Sequence, residues 1–80
     1  MHSTHQAIVK KLSFIVRSRR AELKLSQEAL ADAAEIDRTY ASQIERGIAN
    51  PSLEVLCKLS LALDISLSQL LGEVELPASD

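Results

Sequence analysis

Eighty residues allow one domain with a single hydrophobic core and leave little room for a catalytic cleft. Hydrophobic residues make up 46% of the chain and charged residues 25%, with two glycines and two prolines, which excludes a disordered or fibrous chain. The formal net charge of −2 argues at first sight against a nucleic-acid partner, since phosphate neutralisation needs lysine and arginine.

The charge is unevenly distributed. From Lys10 to Lys24 six basic residues face Glu22 alone, a local charge of +5, whereas residues 51–80 carry −4, so one end of the molecule is expected to be positive and the other negative. With Phe14 and Tyr40 as the only aromatics, the core must be aliphatic. Cys57 is the single cysteine; it excludes an intramolecular disulfide and a thiolate metal cluster, and its place among leucines reads as a small core residue. His2 and His5 have the spacing of a metal pair but lack a third ligand, so no metal and no cofactor are expected, and both fall in an expected flexible N-terminus, residues 1–6. No apolar run approaches the roughly 20 residues that cross a bilayer, and the opening residues do not resemble a secretory signal; the expectation is a soluble cytoplasmic protein with no membrane partner.

In chain order, Ile8, Leu12, Ile15, Val16 and Leu23 recur at helical spacing and predict an amphipathic first helix. Arg20 lies on that apolar stripe and therefore needs a partner for its charge. Ser26 reads as the N-cap of a short second helix carrying Leu30, Ala31 and Ala34 and ending near Ala34 or Glu35. Asp37 reads as the next cap, for a helix from Arg38 through Arg46 stopped by Gly47. The two helices are two or three residues apart, which is a tight helix-turn-helix with Ile36 as the apolar plug. Asn50-Pro51-Ser52 breaks the chain and caps a fourth helix, Leu53 to Leu63, with an expected inward stripe of Leu53, Leu56, Cys57, Ser60 and Leu63. Ser66 starts a last short helix with Leu67, Leu70 and Leu71, and residues 72–80 read as a tail. The predicted domain is residues 7–71.

On the third helix Arg38, Ser42 and Arg46 fall on one side with Thr39 and Gln43 beside them, opposite Ala41 and Ile44. Arginine donating twice to guanine, glutamine pairing with adenine and a threonine methyl against thymine are the chemistry of major-groove reading. An ordinary solvated face has the same polarity, and these five residues alone do not separate the two readings. No nucleophile lies near a plausible base, so no enzymatic site is expected.

The run Leu25-Ser26-Gln27-Glu28-Ala29-Leu30-Ala31, with Ile36-Asp37-Arg38-Thr39-Tyr40, Ile44-Glu45-Arg46-Gly47, Asn50-Pro51-Ser52-Leu53 and Leu59-Ser60-Leu61-Ala62-Leu63, closely resembles the phage-repressor-like (Xre-type) helix-turn-helix family. Within it, Asp37-Arg38-Thr39-Tyr40 together with Leu12-Ser13-Phe14 is most like the controller proteins of restriction-modification systems. The resemblance implies an all-α, five-helix, lambda-repressor-like fold with the helix-turn-helix made by helices 2 and 3. It implies base-edge contacts from Arg38, Thr39, Ser42 and Gln43, a base or phosphate contact from Arg46, and phosphate contacts from Gln27, Tyr40, Asn50 and Ser52. It also implies an ion pair between Arg20 and Glu45.

The family resemblance further implies a homodimer meeting through Leu63, Ile65, Leu67, Leu70 and Leu71 on an inverted-repeat operator. The partners are then double-stranded DNA, a second copy of the chain and, where the operator adjoins a promoter, RNA polymerase. A prophage-type repressor and an antitoxin-like protein-interaction module are the alternative roles. Two positions depart from the family pattern: Glu35 and Lys24 stand where glycine is common, and a non-glycine residue at positive φ carries strain of about 1 kcal/mol.

Overall fold

Side-chain caps decide where the helices begin. The computed structural model of the chain describes residues 4–72, which form five helices and, among those residues, no strand. The helices are α1 (Thr4–Glu22), α2 (Gln27–Ala34), α3 (Arg38–Glu45), α4 (Leu53–Leu63) and α5 (Leu67–Leu71). Ser26, Asp37, Ser52 and Ser66 precede the last four in extended backbone, and their side chains accept from the N–H groups of Ala29, Thr39, Val55 and Gln69 at 3.0, 2.9, 3.2 and 3.0 Å. These donors have no partner within their own helix, so each cap contributes on the order of 1 kcal/mol.

The helix ends share one geometry. Lys24, Glu35 and Asp64 adopt φ of 58°, 58° and 56°, and Gly47 adopts 74°. The next residue's N–H then returns to a carbonyl five positions back: Leu25 to Arg20, Ile36 to Ala31, Ile48 to Gln43 and Ile65 to Ser60, at 3.1, 2.9, 3.0 and 3.1 Å. Glycine takes this left-handed conformation freely, whereas an L side chain does so under strain. The turn between α2 and α3 thus keeps the glycine geometry with a glutamate in it. Gly72, at φ 74°, closes α5 against α1, where a Cβ would stand 2.8 Å from Ile15 Cδ1.

Leu12, Val16, Leu30, Ala34, Ile44, Leu59, Leu63 and Leu70 form the core. Around it α1 packs on α3, α4 and α5, while α2 packs on α3 and α4, and α4 also meets α5. No helix among the described residues is long and apolar enough to cross a membrane.

Several expectations need correction. α1 starts at Thr4, inside the stretch expected to be flexible, and His5 belongs to its first turn; His2 lies outside the described residues, as do residues 73–80 of the expected tail. Cys57 is exposed and Leu53 is 66% exposed, so neither belongs to the inward stripe of α4. The reason is phase: α4 carries leucines all round, and packing against α1 and α2 selects the side of Leu59 and Leu63 over that of Leu53 and Cys57. Leu63 and Leu70 are fully buried in the protomer's own core and are not available to a dimer face; Ile65, Leu67 and Leu71 are half-buried.

One polar cluster fastens α3 to the rest. Glu45 is only 3% exposed, and its carboxylate accepts from Arg20 Nε at 2.6 Å (Oε2), Arg20 Nη2 at 2.9 Å (Oε1) and Gln27 Nε2 at 3.2 Å (Oε1). Arg20 Nη1 donates in addition to the Leu25 carbonyl at 3.0 Å. A buried carboxylate is tolerable because this two-pronged pairing replaces its water. The hydrogen bond with Glu45 raises the Arg20 pKa above its ordinary value, opposed by burial and aided by the Glu45 charge. A basic group raised in this way loses its contribution only as pH climbs through the raised value, so the arginine side of the pair is fully charged at neutral pH.

Two stability measurements follow from this geometry. Replacing Glu45 with Ala leaves Arg20 half-buried without its anion and lowers unfolding stability by about 3–5 kcal/mol in urea titration; an unchanged midpoint contradicts the role. Replacing Glu35 with Gly relieves the positive φ and raises stability by about 1 kcal/mol, a melting shift of roughly 4–8 °C upward in a domain of this size; a lower melting temperature contradicts the strain.

Candidate nucleic-acid interface

Eight residues make α3, and its two faces differ in kind. Ala41, Ile44 and Glu45 are buried, and Tyr40 is half-buried against the core. At about 100° per residue Thr39, Ser42 and Gln43, with the capping residue Arg46, lie on the opposite side, and Arg38 flanks them at the exposed first turn. Arg38, Thr39 and Arg46 are exposed, while Ser42 and Gln43 are half-buried. Glu45 is the only carboxylate in α3 and points inward, and Asp37 turns its Oδ2 to the Thr39 N–H at 2.9 Å. The outer face therefore carries cations, hydroxyls and an amide with no helix anion among them.

The flanks hold the other expected contact residues. Gln27 is the first residue of α2; one amide N–H goes to Glu45, leaving the second and the uncapped backbone N–H at the positive end of the helix. Ser52 Oγ accepts from Val55 N at 3.2 Å, which leaves its hydroxyl hydrogen free to donate at the start of α4. Asn50 is exposed, and its Oδ1 accepts from His5 Nε2 at 3.2 Å. Tyr40 is half-buried, with its ring packed against the core.

The arginines divide into two groups. Arg17 Nη1 donates to the Glu45 carbonyl at 3.0 Å, and Arg19 Nε and Nη2 donate to the carbonyls of Leu63 and Asp64 at 2.8 and 3.3 Å. These carbonyls close α3 and α4, where unpaired acceptors and the negative end of the helix dipole favour a cation. The three arginines of the +5 segment thus serve the fold, while its lysines, Lys10, Lys11 and Lys24, are exposed. The side chains of Arg38 and Arg46, by contrast, make no hydrogen bond or ion pair with other described residues.

Sequence reasoning missed two features of this region. The capping role of Arg17 had a partial signal, since Arg17 and Arg20 are three apart on one side of α1, whereas Arg19 lies off that side. The approach of His5 to Asn50 had none, because the two are 45 positions apart in the chain.

With that geometry in place, the helix-turn-helix family profile matches residues 16–70. The chain is 46% identical over 57 residues to the control protein C.MunI of a Mycoplasma species, covering 71% of this chain and 77% of that protein. It is 41% identical over 58 residues to the immunity repressor of Bacillus phage phi105, covering 72% of this chain but 40% of that protein. Among solved structures it is similar to the restriction-modification controller protein C.AhdI from Aeromonas hydrophila, with a TM-score of 0.76 and 41% identity over 80% of this chain and 97% of that one. A profile match over most of the chain, centred on the helices described above, makes it a member of the Xre-type helix-turn-helix family.

Proposed function

We propose that the chain is a sequence-specific DNA-binding transcription regulator of the restriction-modification controller kind, acting as a homodimer on an inverted-repeat operator. The observation that carries this reading is the outer face of α3, where Arg38 and Arg46 flank Thr39, Ser42 and Gln43 with no carboxylate between them. Controller proteins recur among both the curated relatives and the solved structures it is similar to, which favours that role over a phage repressor or an antitoxin.

In this reading α3 enters the major groove. Arg38 and Thr39, in its first turn, meet base edges, where a guanidinium can donate twice to guanine and a methyl can lie on thymine. Ser42 and Gln43 follow one turn later, and Arg46 reaches base or phosphate. The positive N-terminal ends of α2 and α4, with Gln27, Asn50 and Ser52 beside them, take the sugar-phosphate backbone on either side and set the register. A second copy related by a twofold axis repeats the set in the next groove, about 34 Å away.

Selection of binding duplexes from a random pool tests the proposal. The expected outcome is an inverted repeat with half-site centres about one helical turn apart, and an Arg38→Ala variant that binds it about 10–150-fold more weakly while relaxing the preference at one base pair per half-site. Recovery of no shared sequence, or a variant that keeps the wild-type preference, overturns it.

A further inference from the structure

A single hydrogen bond ties the start of α1 to the loop between α3 and α4. His5 Nε2 stands 3.2 Å from Asn50 Oδ1, and both residues are exposed. Asn50 lies in that loop beside Pro51 and the α4 cap Ser52. The last torsion of an asparagine is broad and roughly two-fold, so on an open loop the amide presents its oxygen about as readily as its nitrogen. To a phosphate the two ends are opposites, since the nitrogen donates and the oxygen repels. Pro51 has no N–H, so at this point of the loop a side-chain amide stands where a backbone donor is missing.

We infer that His5 is a positioning residue for the DNA backbone: by donating from Nε2 to Asn50 Oδ1 it holds the Asn50 amide with its nitrogen turned away from α1 and toward a phosphate. An Oδ1 that accepts from the ring on one side leaves the two Nδ2 hydrogens on the other. The charges nearby suit an anion. No acidic residue precedes Glu22 in the chain, and none lies between Arg46 and Ser52, so neither the start of α1 nor the loop beside it brings a carboxylate to the contact. Glu54, the next acid along the chain, is paired with Lys58 at 3.7 Å. The imidazole can carry its Nε2–H in the neutral as well as the charged form, so the orientation of Asn50 does not require a charge on His5. Between two exposed groups such a bond adds little to the stability of the fold, and its effect falls on the direction of the Asn50 donor.

This role of His5 rests on the DNA-binding reading above and adds α1 to the elements that serve it. Asn50 is the only asparagine in the chain, so its side-chain amide resonances, assigned with an Asn50→Asp variant, report on the contact directly. With the duplex selected from the random pool, the Asn50 amide signals of the wild-type protein are expected to shift and to exchange more slowly with water. In His5→Ala that shift is expected to shrink and operator affinity to fall about 2–10-fold, with an unchanged melting temperature and an unchanged salt dependence. His5→Gln, whose Nε2 can donate in place of the ring, is expected to recover most of the affinity. In an Asn50→Ala background the His5→Ala change is expected to cost nothing further, because its only route to the DNA is gone. Wild-type affinity in His5→Ala, or an undiminished loss in the Asn50→Ala background, overturns the assignment and leaves the DNA-binding reading standing. A wild-type protein that selects no duplex overturns that reading, and the role of His5 with it.

Discussion

A buried carboxylate that takes hydrogen bonds from two other helices is the constraint on which this molecule depends. Glu45 sits at the last turn of α3 and is held by Arg20 from α1 and Gln27 from α2, so the helices that form the helix-turn-helix and the long helix behind them meet at a single group. Helices of eight residues have little stability of their own in water and take their orientation from tertiary contacts. A buried ion pair adds little net stability over a well-packed apolar contact, but it accepts one geometry where apolar side chains accept many. Here that geometry turns Glu45 inward, and the period of the helix then turns Thr39, Ser42, Gln43 and Arg46 outward.

The same economy of charge explains how a chain of net charge −2 presents a cationic face. Arginines in α1 are held by the carbonyls that end α3 and α4 and by Glu45, where they neutralise the negative ends of helices within the fold. The arginines left uncommitted are on or beside α3. Net charge, and even the charge of a segment, is thus a poor guide to the interface; which cations already have partners is a better one.

Much of this is legible in the residues. Ser26, Asp37, Ser52 and Ser66 mark the starts of four helices, because capping chemistry is local and depends on a side chain reaching two or three residues ahead. Arg20 on an apolar stripe announces a buried partner, and the helical period separates the two faces of α3. What escapes a reading of the sequence depends on neighbours distant in the chain. Cys57 and Leu53 read as core because α4 has leucines on several sides and only packing chooses among them. Leu63 and Leu70 read as a dimer face because apolar residues look alike whether they fill a core or a surface. The roles of Arg17 and Arg19 depend on helix ends placed beside them by the fold, and the start of α1 at Thr4 goes with a neighbour, Asn50, far along the sequence.

The division between fold-bound and DNA-facing arginines is the central claim, and the salt dependence of operator binding tests it most directly. Measured by fluorescence anisotropy across a range of salt concentrations, Arg46→Ala is expected to flatten the slope of log affinity against log salt by about one, the share of a single neutralised phosphate. Arg19→Ala, which removes the cap on α4, is expected to lower the melting temperature and leave that slope as in wild type. A flattened slope in Arg19→Ala, or a wild-type slope in Arg46→Ala, contradicts the account.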